Sequence, residues 1–90
     1  MTFEDEDLDR IATEANRTSY GLSASVWTRD LGIAHKMVRK IRAGTVGVNA
    51  HGSVDPALPF GGFKQSGWGR EKGRDVLDLY TEVKAVVMSL

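Results

Sequence analysis

The chain has no cysteine. That excludes disulfides, zinc–thiolate sites and a cysteine nucleophile carried by this chain. It lacks any apolar run near the ~20 residues a membrane span needs, so no membrane partner is expected. It lacks an excess of charge of either sign: twelve Lys+Arg face twelve Asp+Glu. A nucleic-acid-binding arm would show a strong basic surplus, so no nucleic-acid partner is expected. The start, Met1 to Asp7, is acidic and has no basic-then-apolar profile of a secretory signal, which makes the cytoplasm the expected location. Histidine is scarce as well. His35 and His51 have no cysteine partners and lie far apart in the chain, so no metal site is expected. Ninety residues make one small domain at most, with a marginal core.

What is present is patterned. Leu8, Ile11, Ala12 and Ala15 fall at i, i+3, i+4 and i+7, which predicts a helix over about residues 5–15. Acids crowd its first turn, where the helix dipole favours negative charge. Asn16 is a plausible stop, because asparagine tolerates the left-handed conformation that follows many helices. Leu22, Ala24 and Val26 alternate with Ser23, Ser25 and Trp27 and predict a half-buried strand. Thr28 or Asp30 then caps a second helix, whose apolar face is Leu31, Ile33, Ala34, Met37, Val38 and Ile41. Gly44 fits the position just past its end. Residues 45–49 predict another short strand. Strand, helix and strand with short connections form a βαβ unit with parallel strands and a right-handed crossover.

Residues 50–69 break every regular pattern with Pro56, Pro59 and five glycines. A loop this long in a compact unit is functional or disordered, and the interleaved Phe60, Phe63 and Trp68 favour an ordered, packed one. A third helix is expected over about residues 70–80, with Val76, Leu77 and Tyr80 on its buried side. Residues 81–90 are rich in β-branched side chains and read as a strand. The glycines at 67, 69 and 73 do not have dinucleotide-fingerprint spacing, and no strand leads into them, so a tight packed turn is the better reading. Glu71 is the acid–base candidate beside the loop. A lone carboxylate there reads first as a helix first-turn acid and second as a proton carrier. The physics alone gives an α/β fragment without a self-sufficient catalytic constellation.

Three stretches carry a resemblance. They are Gly44-Thr45-Val46-Gly47-Val48-Asn49, the run from Pro59-Phe60-Gly61-Gly62-Phe63-Lys64 through Gln65-Ser66-Gly67-Trp68-Gly69-Arg70-Glu71, and Tyr80-Thr81-Glu82-Val83-Lys84. Together they resemble the C-terminal portion of an NAD(P)-dependent aldehyde dehydrogenase. Ala15-Asn16-Arg17-Thr18-Ser19-Tyr20-Gly21-Leu22 and Val26-Trp27-Thr28-Arg29-Asp30 match the same family upstream and in the same order. Within it, residues 51–71 are most similar to the phenylacetaldehyde- or aryl-aldehyde-oxidising branch.

The resemblance implies an oxidoreductase that turns an aldehyde into a carboxylic acid. A cysteine attacks the aldehyde, hydride passes to NAD or NADP, and a glutamate activates water. Those family nucleophile and base residues lie upstream of the matched region. This chain alone is therefore expected to bind no cofactor and to be inactive. It would comprise the end of the catalytic domain (residues 1–80) and an oligomerisation strand (residues 81–90). By motif position Ala50, Gly52, Val54 and Phe60 would line the aldehyde tunnel, and three of the four are small enough to leave room for a larger substrate. Glu71 would be an accessory group for proton relay or cysteine activation. Asn49 would be structural, and Arg70 and Glu82 would form an ion pair near a subunit interface in a homo-oligomer. The alternative is a truncated, non-enzymatic interaction module that pairs with intact homologues through its last strand.

Overall fold

The computed structural model describes residues 7–52 and 55–90. Helix α1 (Leu8–Ala15) begins where Asp7 accepts the Arg10 N–H at 3.0 Å. This is an N-cap carboxylate serving an otherwise orphan donor. Strands β1 (Tyr20–Gly21) and β2 (Ser23–Val26) follow. Asp30, not Thr28, caps α2 (Leu31–Lys40) by accepting from the Ile33 N–H at 2.9 Å. The Thr28 hydroxyl instead accepts from the Asp30 N–H. Strand β3 (Thr45–Val48) then pairs with β2 in parallel, with Ser23 opposite Thr45, Ala24 opposite Val46, Ser25 opposite Gly47 and Val26 opposite Val48. The expected βαβ unit is present.

The connection from α2 to β3 differs from its expectation. Helix α2 closes at Ile41 in extended conformation, so Gly44 does not terminate it. Gly44 marks a close crossing instead. A Cβ there would lie 1.6 Å from the Gly61 carbonyl oxygen, which only backbone movement could relieve. Asn16 is likewise not left-handed, with φ −86° and ψ −2°. Its side chain explains its place. The amide donates to the Lys40 carbonyl and accepts from the Arg42 N–H, both at 2.8 Å, joining the end of α1 to the end of α2. Asp9 and Lys40 add an exposed ion pair between the helices.

The described second half of the long loop is held by pairing. Strand β4 (Phe63–Lys64) runs antiparallel to β1, and Lys64 Nζ donates to the carbonyls of Asn16 and Thr18. Phe60 and Glu71 exchange two backbone hydrogen bonds of 2.7 Å. Trp68 departs from the packed-loop expectation, being 94% exposed.

Helix α3 covers Val76–Tyr80 and not residues 70–80. Lys72 and Gly73 both have positive φ, which a continuing right-handed helix cannot include, and Glu71 is committed to the bridge with Phe60. Glu71 is therefore not a first-turn acid. Leu77 and Tyr80, expected on a buried side, are 59% and 82% exposed, and Val76 is half-buried. Residues 81–90 form no ladder with any described strand and are exposed throughout. A strand needs a partner edge, and these residues meet none among the described strands. The described buried core is small: Ala12, Ala34 and Met37, where α1 meets α2.

Candidate functional site

Asn49 shapes the site. It follows β3 with φ 52°, a conformation asparagine tolerates better than most residues. Its side-chain oxygen accepts the Thr28 N–H and its amide donates to the Thr28 carbonyl, both at 2.9 Å. Its own N–H donates to the Val26 carbonyl at 2.8 Å. The chain after β3 is thereby locked to the end of β2 and turned back across the sheet.

That turn borders a partly open hollow of about 160 Å³. β2 and β3 form its floor, with Ser25 and Gly47, and the returning loop forms its wall, with Ala50, His51, Gly52 and Phe60. Three of the four residues expected to line an aldehyde tunnel, Ala50, Gly52 and Phe60, therefore converge on one cavity. The fourth, Val54, lies outside the described residues. Gly47 keeps the floor low: a Cβ there would come within 2.5 Å of the Ala50 carbonyl oxygen.

A second, more open hollow of about 570 Å³ lies on the other side of Phe60, with Leu22, Gly62, Arg70, Glu71 and Tyr80 in its lining. The Glu71 side chain is exposed and makes no hydrogen bond to the described residues. The Arg70 guanidinium donates to the carbonyls of Gly62 at 3.0 Å and Gly69 at 2.8 Å and stands 5.7 Å from the centre of the Phe63 ring. It does not meet Glu82, which is exposed. Arg70 and Glu82 make no ion pair within this chain: Arg70 donates to the glycine turn and Glu82 lies in the exposed end segment, while the expectation places their pair near a subunit interface.

The sequence reading missed one pair. Ser25 Oγ and His51 Nδ1 share a hydrogen bond of 3.0 Å, and both line the smaller hollow. No local pattern joins a strand serine to a loop histidine 26 residues later. The register that sets Ser25 opposite Gly47, and so leaves space above it, is the signal that finds them.

The glycine run at 67–73 does not form a dinucleotide phosphate cradle. The glycines at 67–73 sit between β4 and a helix of five residues, and no strand leads directly into a helix there, as a phosphate cradle requires. No group of three or more metal-ligating side chains occurs among the described residues, and no described helix is long and apolar enough to cross a membrane.

An α/β unit of this topology, with a glycine-rich ordered loop, is the class the geometry defines. Residues 1–86 match the aldehyde dehydrogenase family, and the chain belongs to it. It is 49% identical over 83 residues to the phenylacetaldehyde dehydrogenase of Pseudomonas fluorescens, covering 92% of this chain and 16% of that protein. It is 51% identical over 85 residues to the mitochondrial benzaldehyde dehydrogenase of Antirrhinum majus, covering 94% of this chain and again 16% of the other. The AldA indole-3-acetaldehyde dehydrogenase of P. syringae, solved as a variant with NAD+ and IAA, superposes with TM-score 0.83 at 46% identity over 100% of this chain and 18% of that one. The chain thus spans about one sixth of the length of the curated relatives it matches.

Proposed function

We propose that this chain supplies one wall of the aldehyde-binding cavity in an NAD(P)-dependent aldehyde dehydrogenase. The nucleophilic cysteine, the base and the cofactor site come from the region it is joined to. The observation that carries this reading is the convergence of Ala50, Gly52 and Phe60 on the 160 Å³ hollow. That volume suits a single aromatic ring, since an apolar protein cavity of ~150 Å³ binds benzene. The small side chains at 50 and 52 leave the ring's space open, and Phe60 offers it an aromatic partner. Phenylacetaldehyde and related aryl aldehydes are therefore the proposed substrates, which agrees with what the P. fluorescens and A. majus relatives are named for.

Around this wall Glu71 stands as an accessory group for proton transfer, exposed at the edge of the larger hollow. Residues 81–90 form an oligomerisation strand after the catalytic portion at 1–80, and Arg70 and Glu82 pair once that strand is docked in a homo-oligomer. A second reading, a non-enzymatic module that joins intact homologues, is favoured by the exposed apolar end segment alone.

The test uses a hybrid in which this chain replaces the matching segment of the P. fluorescens enzyme. Ala50→Trp should fill the hollow. It should lower kcat/KM for phenylacetaldehyde at least tenfold more than for acetaldehyde, because a filled wall obstructs the substrate that needs it. Equal losses for both aldehydes would remove Ala50 from the substrate cavity and the carrying observation with it.

A further inference from the structure

We infer that the Ser25–His51 pair is a specificity-determining contact that reads a hydroxyl group on the ring of the aldehyde. This rests on the wall reading above and deepens it. The smaller hollow is bounded mainly by apolar groups, among them Ala24, Ala50, Leu58 and Phe60. In such a pocket a small number of polar groups fixes orientation and choice.

His51 is held at one nitrogen and open at the other. Nδ1 is engaged by Ser25 Oγ at 3.0 Å, and Nε2 has no partner among the described residues. The bond to Ser25 sets what Nε2 offers. When the serine hydroxyl donates to Nδ1, the proton is on Nε2, which then donates. When Nδ1–H donates to the serine oxygen, Nε2 carries a lone pair and accepts.

A ligand hydroxyl both donates and accepts, so it suits His51 in either tautomer. A carboxylate suits only one. It would also share the hollow with the Asp55 carboxylate, which lines the same cavity and accepts the Ala57 N–H. A second negative charge there is disfavoured. The chemistry that matches the site is thus a neutral, hydroxylated aryl aldehyde.

His51 is exposed, so the contact exchanges a water for the substrate hydroxyl, and the discrimination is that of one net hydrogen bond, roughly three- to tenfold. Two arms test it. In the hybrid, the ratio of kcat/KM for 4-hydroxyphenylacetaldehyde to that for phenylacetaldehyde should fall by that factor in both His51→Leu and Ser25→Ala. An unchanged ratio, in a hybrid where Ala50→Trp still discriminates by size, overturns this inference and leaves the wall reading standing. Loss of both effects overturns both.

The second arm needs no turnover. In the hybrid labelled with 15N-histidine, 4-hydroxyphenylacetamide should shift the ring-nitrogen signals that His51→Leu removes, and unsubstituted phenylacetamide should not. Equal shifts with both, or none with either, contradict the hydroxyl contact.

Discussion

Asn49 ties together two segments that are distant in sequence: through its side chain and its own N–H it joins the loop that walls the hollow to the end of β2 and the start of the α2 connection beside it. Alanine at this position would leave the Thr28 N–H and carbonyl without protein partners and would place a Cβ-bearing residue with no polar side chain at φ 52°. Two lost hydrogen bonds at about 1 kcal/mol each and about 1 kcal/mol of left-handed strain give a cost of roughly 3 kcal/mol for Asn49→Ala. Asn49→Gly removes the strain and should cost clearly less. Thermal unfolding of the hybrid, with hydrogen exchange at the Thr28 amide, checks both the size and the order. Equal costs would show that the conformation of residue 49 contributes nothing. The motif marked Asn49 as structural, but not which groups it holds. The partners of Asn49, like those of Asn16 and Lys64, lie more than twenty residues away and are created by the fold. Ser25 and His51 escaped for the same reason.

At the scale of elements, those set by local chemistry were legible. α1, α2 and the parallel pair β2–β3 follow from apolar spacing, capping and alternation, and Asp30 caps α2 as expected. α1 starts at Leu8 behind an Asp7 cap that the spacing, which predicts a helix over about residues 5–15, does not single out, and residues 5–6 lie outside the described residues. The elements that differ are governed by contacts outside their own sequence. α3 starts late because Glu71 pairs with Phe60 and the next residues turn left-handed. Residues 81–90 have strand composition and no partner. Gly44 looks like a helix stop but is a crossing point under Gly61. The helix pair offers a contrast in magnitudes. Asp9 is 85% exposed in its ion pair with Lys40, so Asp9→Asn should change stability by ~0.5 kcal/mol or less. Asn16→Ala abandons two backbone groups at the end of α2 and should cost about 1–3 kcal/mol. Thermal midpoints of the two variants in the hybrid decide it, and a larger loss for Asp9→Asn would reverse the assignment of what joins α1 to α2.

The molecule as a whole exposes more than a domain of its size should. Its radius of gyration is 18.0 Å, against about 12 Å for a compact domain of this length. Its accessible surface is 7680 Å², against about 5200 Å² for a compact monomer of the same mass. Much of the surplus is apolar: Leu77, Leu79, Tyr80, Val83, Val86 and Val87 are all exposed along α3 and the end segment. An uncovered apolar segment with free backbone groups is a template for pairing, and zero net charge offers little repulsion against it. The isolated chain should therefore form dimers or larger species. Val83→Lys with Val87→Lys, or deletion of residues 81–90, should reduce them. Light scattering at equal concentration compares the three, and a monodisperse monomer for the intact chain would mean that the end segment folds back on its own unit.

The proposed function follows from the same incompleteness. The chain has no cysteine to act as the family nucleophile, and among its described residues the glycines at 67–73 form no strand-to-helix phosphate cradle. The most direct measurement is NAD(P)H formation from phenylacetaldehyde by the 90-residue chain and by the hybrid, side by side. The chain alone should match the buffer blank, while the hybrid turns over and loses that turnover selectively when Ala50→Trp fills the hollow. Turnover by the pure 90-residue chain, or a hybrid indifferent to the size of residue 50, would contradict the account.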